Sequence, residues 1–325
     1  NNNQFGKKLQ IKSSLGIGNC VDAVVDGNFL YVIGVSRTGK IDPVDFKTSY
    51  KTGCLYVADI SDPAVPRLIG KLCGLGNTRQ IEVRDGIAYV ASREDGFFII
   101  DVTEPSTPKL ITHYDTVEFA TGIDIYENFA FISLRIYGVE IVDISDLKNP
   151  VHISTIKIGE AQSVDVCNGY LYAGVWGQQN LTVCDVRDPY NPCTVAVMPV
   201  DGRGDGVFVK DNYCYIATGH HARGMTRHDE SDPAFGNGHG MEIFDISNPE
   251  NPVFMSCIKI NRFYKLGNDM WDVNVCGNYA FLSHTYNGVF VIDVSDPFKP
   301  AFIAHAELPY NIERQEENPV GGIAL

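Results

Sequence analysis

Apolar residues in this chain fall in short β-branched and aromatic runs cut by Gly, Asn, Asp and Pro, and one arrangement of them recurs. An Asp closes a β-branched run and a Pro-containing turn follows, in VADISDPAVP, IIDVTEPSTP, IVDISDLKNP, VCDVRDPYNP, IFDISNPENP and VIDVSDPFKP. The aspartates are Asp59, Asp101, Asp143, Asp185, Asp245 and Asp293, separated by 42, 42, 42, 60 and 48 residues. Upstream of each, an Asn or Gly turn leads into an aromatic-rich run: DGNFLYVIG, DGIAYVAS, ENFAFISL, NGYLYAGV, DNYCYIAT and GNYAFLSH. Such turn residues accept positive φ and close a tight hairpin. A unit therefore parses into four strands, as in SVDVC, YLYAGV, LTVCDV and CTVAVM, whose short connections force antiparallel pairing. The second and third strands are almost continuously apolar, as in a sheet covered on both faces.

Four-stranded units at this period predict an all-β fold, a β-propeller of antiparallel blades. The aspartates read as structural, their carboxylates accepting N–H groups in a turn whose φ the prolines fix. Residues 15–309 hold six full repeats. At the ends, KKLQIKSS resembles a fourth strand and NPVGGIAL a first strand, giving terminal strands of a seventh blade. Residues 1–14 are then a strand completing the ring, and residues 310–325 a tail that starts a further repeat. A six-bladed ring with these strands at its seam, a longer polypeptide, or a partner chain supplying the missing strands each satisfies the count.

The third-strand sequences EIVDIS, FIIDVT and FVIDVS resemble the LVIVD-repeat proteins, over essentially residues 15–309. The resemblance implies a β-propeller, placed at or outside the cell envelope of bacteria and archaea. It carries no general activity to transfer.

A net charge of −14 without a Lys/Arg cluster argues against nucleic acid as a partner. No segment approaches the roughly 18 uninterrupted apolar residues of a membrane-spanning helix. Nine cysteines at strand-interior positions, with no CxxC pair, read as small buried hydrophobes and favour a reducing, cytoplasmic setting, against what the resemblance implies.

Three stretches break the repeat length: SRTGKIDPVDFKTSYKTG, GHHARGMTRHDESDPAFGNGHG and NRFYKLGNDMW. Topology sends all three to one face, where long loops in an economical fold are functional or disordered. The second holds His220, His221, His228 and His239 together with Asp229, Glu230 and Asp232. Imidazoles and carboxylates suit a divalent metal, Zn or Mn, with His220, His221 and His239 as ligands, although the spacing matches no fixed metal motif. A polar rim loop with hydrogen-bonding histidines is the alternative. His284 corresponds in register to Thr218 and can converge with them.

Polar groups expected where the first strands enter the funnel include Asp22, Arg79, Gln80, Thr121, Gln162, Ser163, Asp205, Trp271 and Asp272. Of these, Arg79 and Trp271 suit a carboxylate and a flat group, with Asp205, Asp22 and Gln162 completing a polar ligand site. The tripeptide Arg203-Gly204-Asp205 matches an adhesion motif short enough to arise by chance. Two functional readings follow. One is a binding propeller that recognises a small polar ligand or a protein through its loop-rich face. The other is a metal-assisted lyase or hydrolase using His220, His284 and Asp272, with Arg79 holding an anionic substrate.

Overall fold

The computed structural model describes residues 9–35, 53–219, 238–260, 270–285, 287–310 and 320–325. Their regular structure is entirely β, in six four-stranded antiparallel sheets, each paired in sequence order. The chain divides into two compact units, Ile11–Lys157 and Ile158–Ile323.

The N-terminal unit holds three blades. Blade one is β1 (Asn19–Asp26), β2 (Phe29–Val35), β3 (Gly53–Asp59) and β4 (Arg67–Cys73). Blade two is β5 (Gln80–Arg84), β6 (Ile87–Ala91), β7 (Phe97–Asp101) and β8 (Lys109–Tyr114), and blade three is β9 (Ala120–Tyr126), β10 (Phe129–Leu134), β11 (Gly138–Asp143) and β12 (Val151–Ile156).

In the C-terminal unit, blade four is β13 (Ala161–Cys167), β14 (Tyr170–Val175), β15 (Asn180–Asp185) and β16 (Cys193–Pro199). Blade five is β17 (Arg203–Lys210), β18 (Tyr213–Gly219), β19 (Gly240–Asp245) and β20 (Val253–Lys259). Blade six is β21 (Met270–Cys276), β22 (Tyr279–His284), β23 (Gly288–Asp293) and β24 (Ala301–Ala306).

Local chemistry accounts for each blade. The first hairpin turns on residues of positive φ, for example Asn168 and Gly169 or Asp85 and Gly86, and the chain reverses there within two residues. The third strand ends on the recurring aspartate, whose Oδ1 accepts the backbone N–H two residues on: Ser61 to Asp59, Thr103 to Asp101, Ser145 to Asp143, Arg187 to Asp185, Ser247 to Asp245 and Ser295 to Asp293, at 2.8–3.0 Å. The Ser61 hydroxyl, with the Ser61 N–H and Arg67, holds the Asp59 carboxyl down to about 2; the hydroxyl and N–H of Thr103 and of Ser295 lower Asp101 and Asp293, and the N–H and hydroxyl of Ser247 lower Asp245. The structural reading of the six aspartates is what the geometry shows.

The core lies between the faces of successive sheets. Tyr31, Ile33, Leu55 and Val57 of blade one pack on Ile81, Val83, Ala88 and Val90 of blade two, and Tyr215, Met241 and Ile243 of blade five pack on Val273, Leu282 and Phe290 of blade six. Within the units, polar side chains on the first strands tie blade one to two, two to three and four to five. Asp22 Oδ2 accepts Ile81 N–H at 3.0 Å, Gln80 Oε1 accepts Ile123 N–H at 2.9 Å, and Asp165 Oδ2 accepts Val209 N–H at 2.6 Å.

The expected terminal strands fall partly outside the described residues, at 1–8 and 311–319. Neither residues 9–18 nor residues 320–325 form a strand, so among the described residues there are six blades and no part of a seventh. The N-terminal stretch docks through side chains, Ser13 Oγ donating to the Pro63 carbonyl at 2.9 Å and Ile17 packing against Val32, Cys54 and Tyr56. The C-terminal stretch is held by blade six. Asp272 Oδ2 accepts Ile323 N–H at 3.3 Å, Asn274 Nδ2 donates to the Ile323 carbonyl at 2.8 Å, and Val320 N–H donates to the Thr285 carbonyl at 2.8 Å. Ile323 thus meets β21 through the kind of bond that joins successive first strands, without a ladder of its own.

The cysteines depart from expectation. Cys54 and Cys73 form a disulfide, because they stand directly opposite one another in the β3–β4 ladder with Cα atoms 4.1 Å apart. The other seven are free thiols. One joined pair runs against the reducing setting expected from nine unpaired cysteines.

Candidate functional site

The most concentrated polar chemistry among the described residues lies in the C-terminal unit, at the ends of blades five and six. Strand β22 ends on His284, paired with Gly288. The equivalent residue is Leu134 in blade three, Val175 in blade four and Thr218 in blade five, each pairing with the first residue of its third strand. His239 immediately precedes β19, and both imidazoles are fully buried.

His284 Nε2 lies 3.0 Å from His239 Nδ1, with the ring centroids 4.7 Å apart. The Asn287 amide nitrogen is 2.9 Å from His284 Nδ1, and the Asn287 backbone N–H donates to the His284 carbonyl at 3.2 Å. With the amide donating to Nδ1, the His284 proton sits on Nε2 and is donated to His239 Nδ1. The cluster is then a directed chain from Asn287 through two imidazoles. With both facing nitrogens deprotonated instead, two lone pairs converge on one point, and a cation has two ligands there.

Beside it, the Thr218 hydroxyl donates to the Gly238 carbonyl at 2.7 Å, and buried Glu242 accepts the Asp201 N–H at 2.6 Å. Lys259 donates to the Asp201 carbonyl and lies 3.8 Å from Glu242 Oε1. Glu140 holds the same register in blade three, where it accepts from Tyr114 Oη at 2.8 Å and from Val117 N–H at 2.9 Å. Both buried glutamates therefore brace the connection that enters their blade.

His113 and His305 serve packing. Each stacks on a phenylalanine of the third strand, Phe98 at 4.6 Å and Phe290 at 4.2 Å, with Nε2 against a turn carbonyl, that of Asp95 or Asn287.

Of the residues singled out in the sequence, His220, His221 and His228 lie outside the described residues, as do the three long connections over 36–52, 220–237 and 261–269. Trp271 is in β21, but its side chain lies outside the described residues. His239 and His284 are brought together. The others have partners of their own. Asp22 and Arg79 are neighbours in the N-terminal unit, and burial pushes the Asp22 carboxyl up to about 6 against the pull of Ile81 and Ala23 N–H groups and the Arg79 charge. Gln162 Nε2 donates to Glu160 Oε1 at 3.3 Å. Asp272 is occupied by the N–H groups of Val273 and Ile323 and the Asn274 amide.

Asp205 is buried in the irregular opening of β17, where Gly206 lets the strand approach β21. A Cβ there would stand 2.8 Å from Asp272 Cα. Gly204 and Asp205 being buried, the adhesion tripeptide is not displayed. Its arginine has a different role. The Arg203 guanidinium stacks over the Trp176 ring at 3.8 Å, a contact that no local spacing announces.

No group of three or more His, Cys, Asp or Glu is gathered for a metal among the described residues. No described helix is long and apolar enough to cross a membrane.

A protein from Lactobacillus plantarum superposes with a TM-score of 0.67 at 12% identity, over 85% of this chain and 81% of that one. A functionally unknown protein from Desulfotomaculum acetoxidans gives 0.62 at 15% identity, over 85% and 78%. The periplasmic gluconolactonase of Pseudomonas aeruginosa gives 0.61 at 9% identity, over 88% and 86%. At such identities the shared property is the fold, and with the six sheets it makes this chain a β-propeller. No curated protein matches the sequence. The LVIVD repeat matches residues 50–72, 75–116, 119–157, 158–197, 201–221, 235–259 and 267–306, the fifth repeat being met in two pieces on either side of the long β18–β19 connection. With well over half its length matched in this way, the chain belongs to the LVIVD repeat family.

Proposed function

We propose that this propeller binds a small polar ligand at the ends of blades five and six, with His239 and His284 at the centre of the site. One observation supports the reading: two buried imidazoles face each other at 3.0 Å, and one of them, His284, stands where other blades place Leu134 or Val175. A buried imidazole carries a desolvation cost that an aliphatic side chain avoids, and packing alone gives no reason to accept it twice. The loop between Thr218 and His239, with His220 and His221, belongs to the same site in this reading. A protein partner presenting a polar group is the variant of it that the loop-rich ends also suit.

A second reading has a specific basis. Metal–imidazole distances of roughly 2.0–2.1 Å put two nitrogens of one tetrahedrally bound ion about 3.3 Å apart, so the facing pair at 3.0 Å needs only a small outward shift to take one. Zn or Mn held by His239 and His284, with His220 or His221 from the loop, would polarise a bound carbonyl or activate water. Asp272, engaged by three N–H donors, is a poor base for such a reaction.

His284→Leu, the residue blade three uses at this position, separates site from fold. It should fold but melt below the parent, because the Asn287 amide and His239 Nδ1 lose this partner, and it should also lose the added stabilisation that Zn, Mn or a polar ligand from a small-molecule panel confers on the parent. Stoichiometric metal in the purified chain that disappears with His284→Leu favours the second reading. Ligand- and metal-induced stabilisation unchanged in His284→Leu sinks both.

A further inference from the structure

We infer that Arg203 and Trp176 form an anion-binding platform, a site for the carboxylate or phosphate oxygens of a small molecule. The inference rests on the reading of this end of the C-terminal unit as its binding end and names the ligand charge it accepts.

Arg203 opens β17, paired with Gly219 at the foot of the long loop, and Trp176 follows β14 in the neighbouring blade. The backbone that carries the ring is anchored, Trp176 N–H donating to the Glu160 carbonyl at 2.8 Å and Trp176 O accepting from Gln179 N–H at 3.3 Å. One face of the guanidinium lies on the indole at 3.8 Å, so only its edge is left to donate. Nε on that side chain is buried with no acceptor. A desolvated donor on a charged group costs more than a neutral one left unmade.

This chain has no shortage of acceptors, with 40 acidic residues against 26 basic ones. Arg67, Arg84 and Arg187 each lie against a carboxylate, that of Asp59, Asp85 or Asp185. Arg203 makes no such ion pair among the described residues; Glu160 receives Gln162, and Asp201 and Glu242 both lie near Lys259. A planar cation held flat on an aromatic ring, with its edge donors kept from internal acids, matches an oxyanion bidentately.

Trp176 makes the site its own reporter, since the chain has two tryptophans. The parent chain is titrated with inorganic phosphate and separately with acetate, chloride holding ionic strength constant, while tryptophan fluorescence is followed. A saturable change with one oxyanion, absent with chloride, is expected; which oxyanion acts separates a phosphate from a carboxylate ligand. In Arg203→Gln the midpoint should rise about tenfold or more, the loss expected for a charge-assisted contact, and Trp176→Phe should remove the signal. If Arg203→Gln does not fold, Arg203→Lys keeps the charge without the planar edge and should still weaken binding severalfold. No saturable change with either anion, or a midpoint unmoved in the arginine variant that folds, overturns the inference. His284→Leu reads the histidine pair independently, and its failure leaves the anion titration standing.

Discussion

Asp22 shows how far a single side chain can be committed to the interior. Its carboxyl is raised to about 6 by burial, against an ordinary 3.8, so the native state holds this proton more tightly than the unfolded chain does. Stability contributed by the protonated form is therefore lost as pH rises from about 4 to about 6, and two pKa units correspond to about 3 kcal/mol. Asp22→Asn keeps an oxygen for the Ile81 N–H and carries no charge, so urea unfolding across that window should show a flatter stability curve and a more stable protein at neutral pH. An unchanged slope would refute the assignment. Gly206 makes the opposite demand, for an absent side chain. A Cβ 2.8 Å from the Asp272 backbone has no flexible neighbour to displace, so Gly206→Ala should cost about 1–3 kcal/mol in a denaturant titration. Sequence points to polarity at Asp22, Gln80 and Asp272 but not to its use, because each carboxylate or amide meets a backbone group more than 40 residues away.

At the scale of strands and turns, much was legible. Asp-x-Ser and Asp-x-Thr close on themselves through bonds spanning two residues, so their meaning is complete within the local sequence. The depressed Asp59 carboxyl carries a consequence: its contribution is present above the unfolded value near 4 and fades as pH falls toward about 2. The Cys54–Cys73 bond was not legible, since pairing depends on the β3–β4 register rather than on either cysteine's neighbours. It closes a separation of 19 residues around the hairpin. Reduction, or Cys73→Ser, should lower stability by up to about 3 kcal/mol, measured by thermal melting with and without reductant. Equal melting in both conditions would mean the thiols are not joined. The histidine pair lies between these cases. Register alone matched His284 to Thr218, while its 3.0 Å contact with His239 needs two blades in place.

For the whole molecule, the period of the aspartates carried the architecture, because six copies of one local solution leave few folds open. Function had no such redundancy. The stretches that break the repeat are where each blade differs from its siblings, and Arg203 and Trp176 meet across blades without a motif to mark them. Ile323 has a different lesson. Blade six grips it by amide hydrogen and carbonyl oxygen, so the grip is blind to the side chain. Ile323→Ala should be nearly silent in a thermal melt, whereas Ile323→Pro, which has no hydrogen to offer Asp272, should unseat the segment and open β21 to hydrogen exchange. A surface that reads only peptide groups is also indifferent to whose peptide it is: any extended strand of suitable length, offered in excess, is a competitor for that berth.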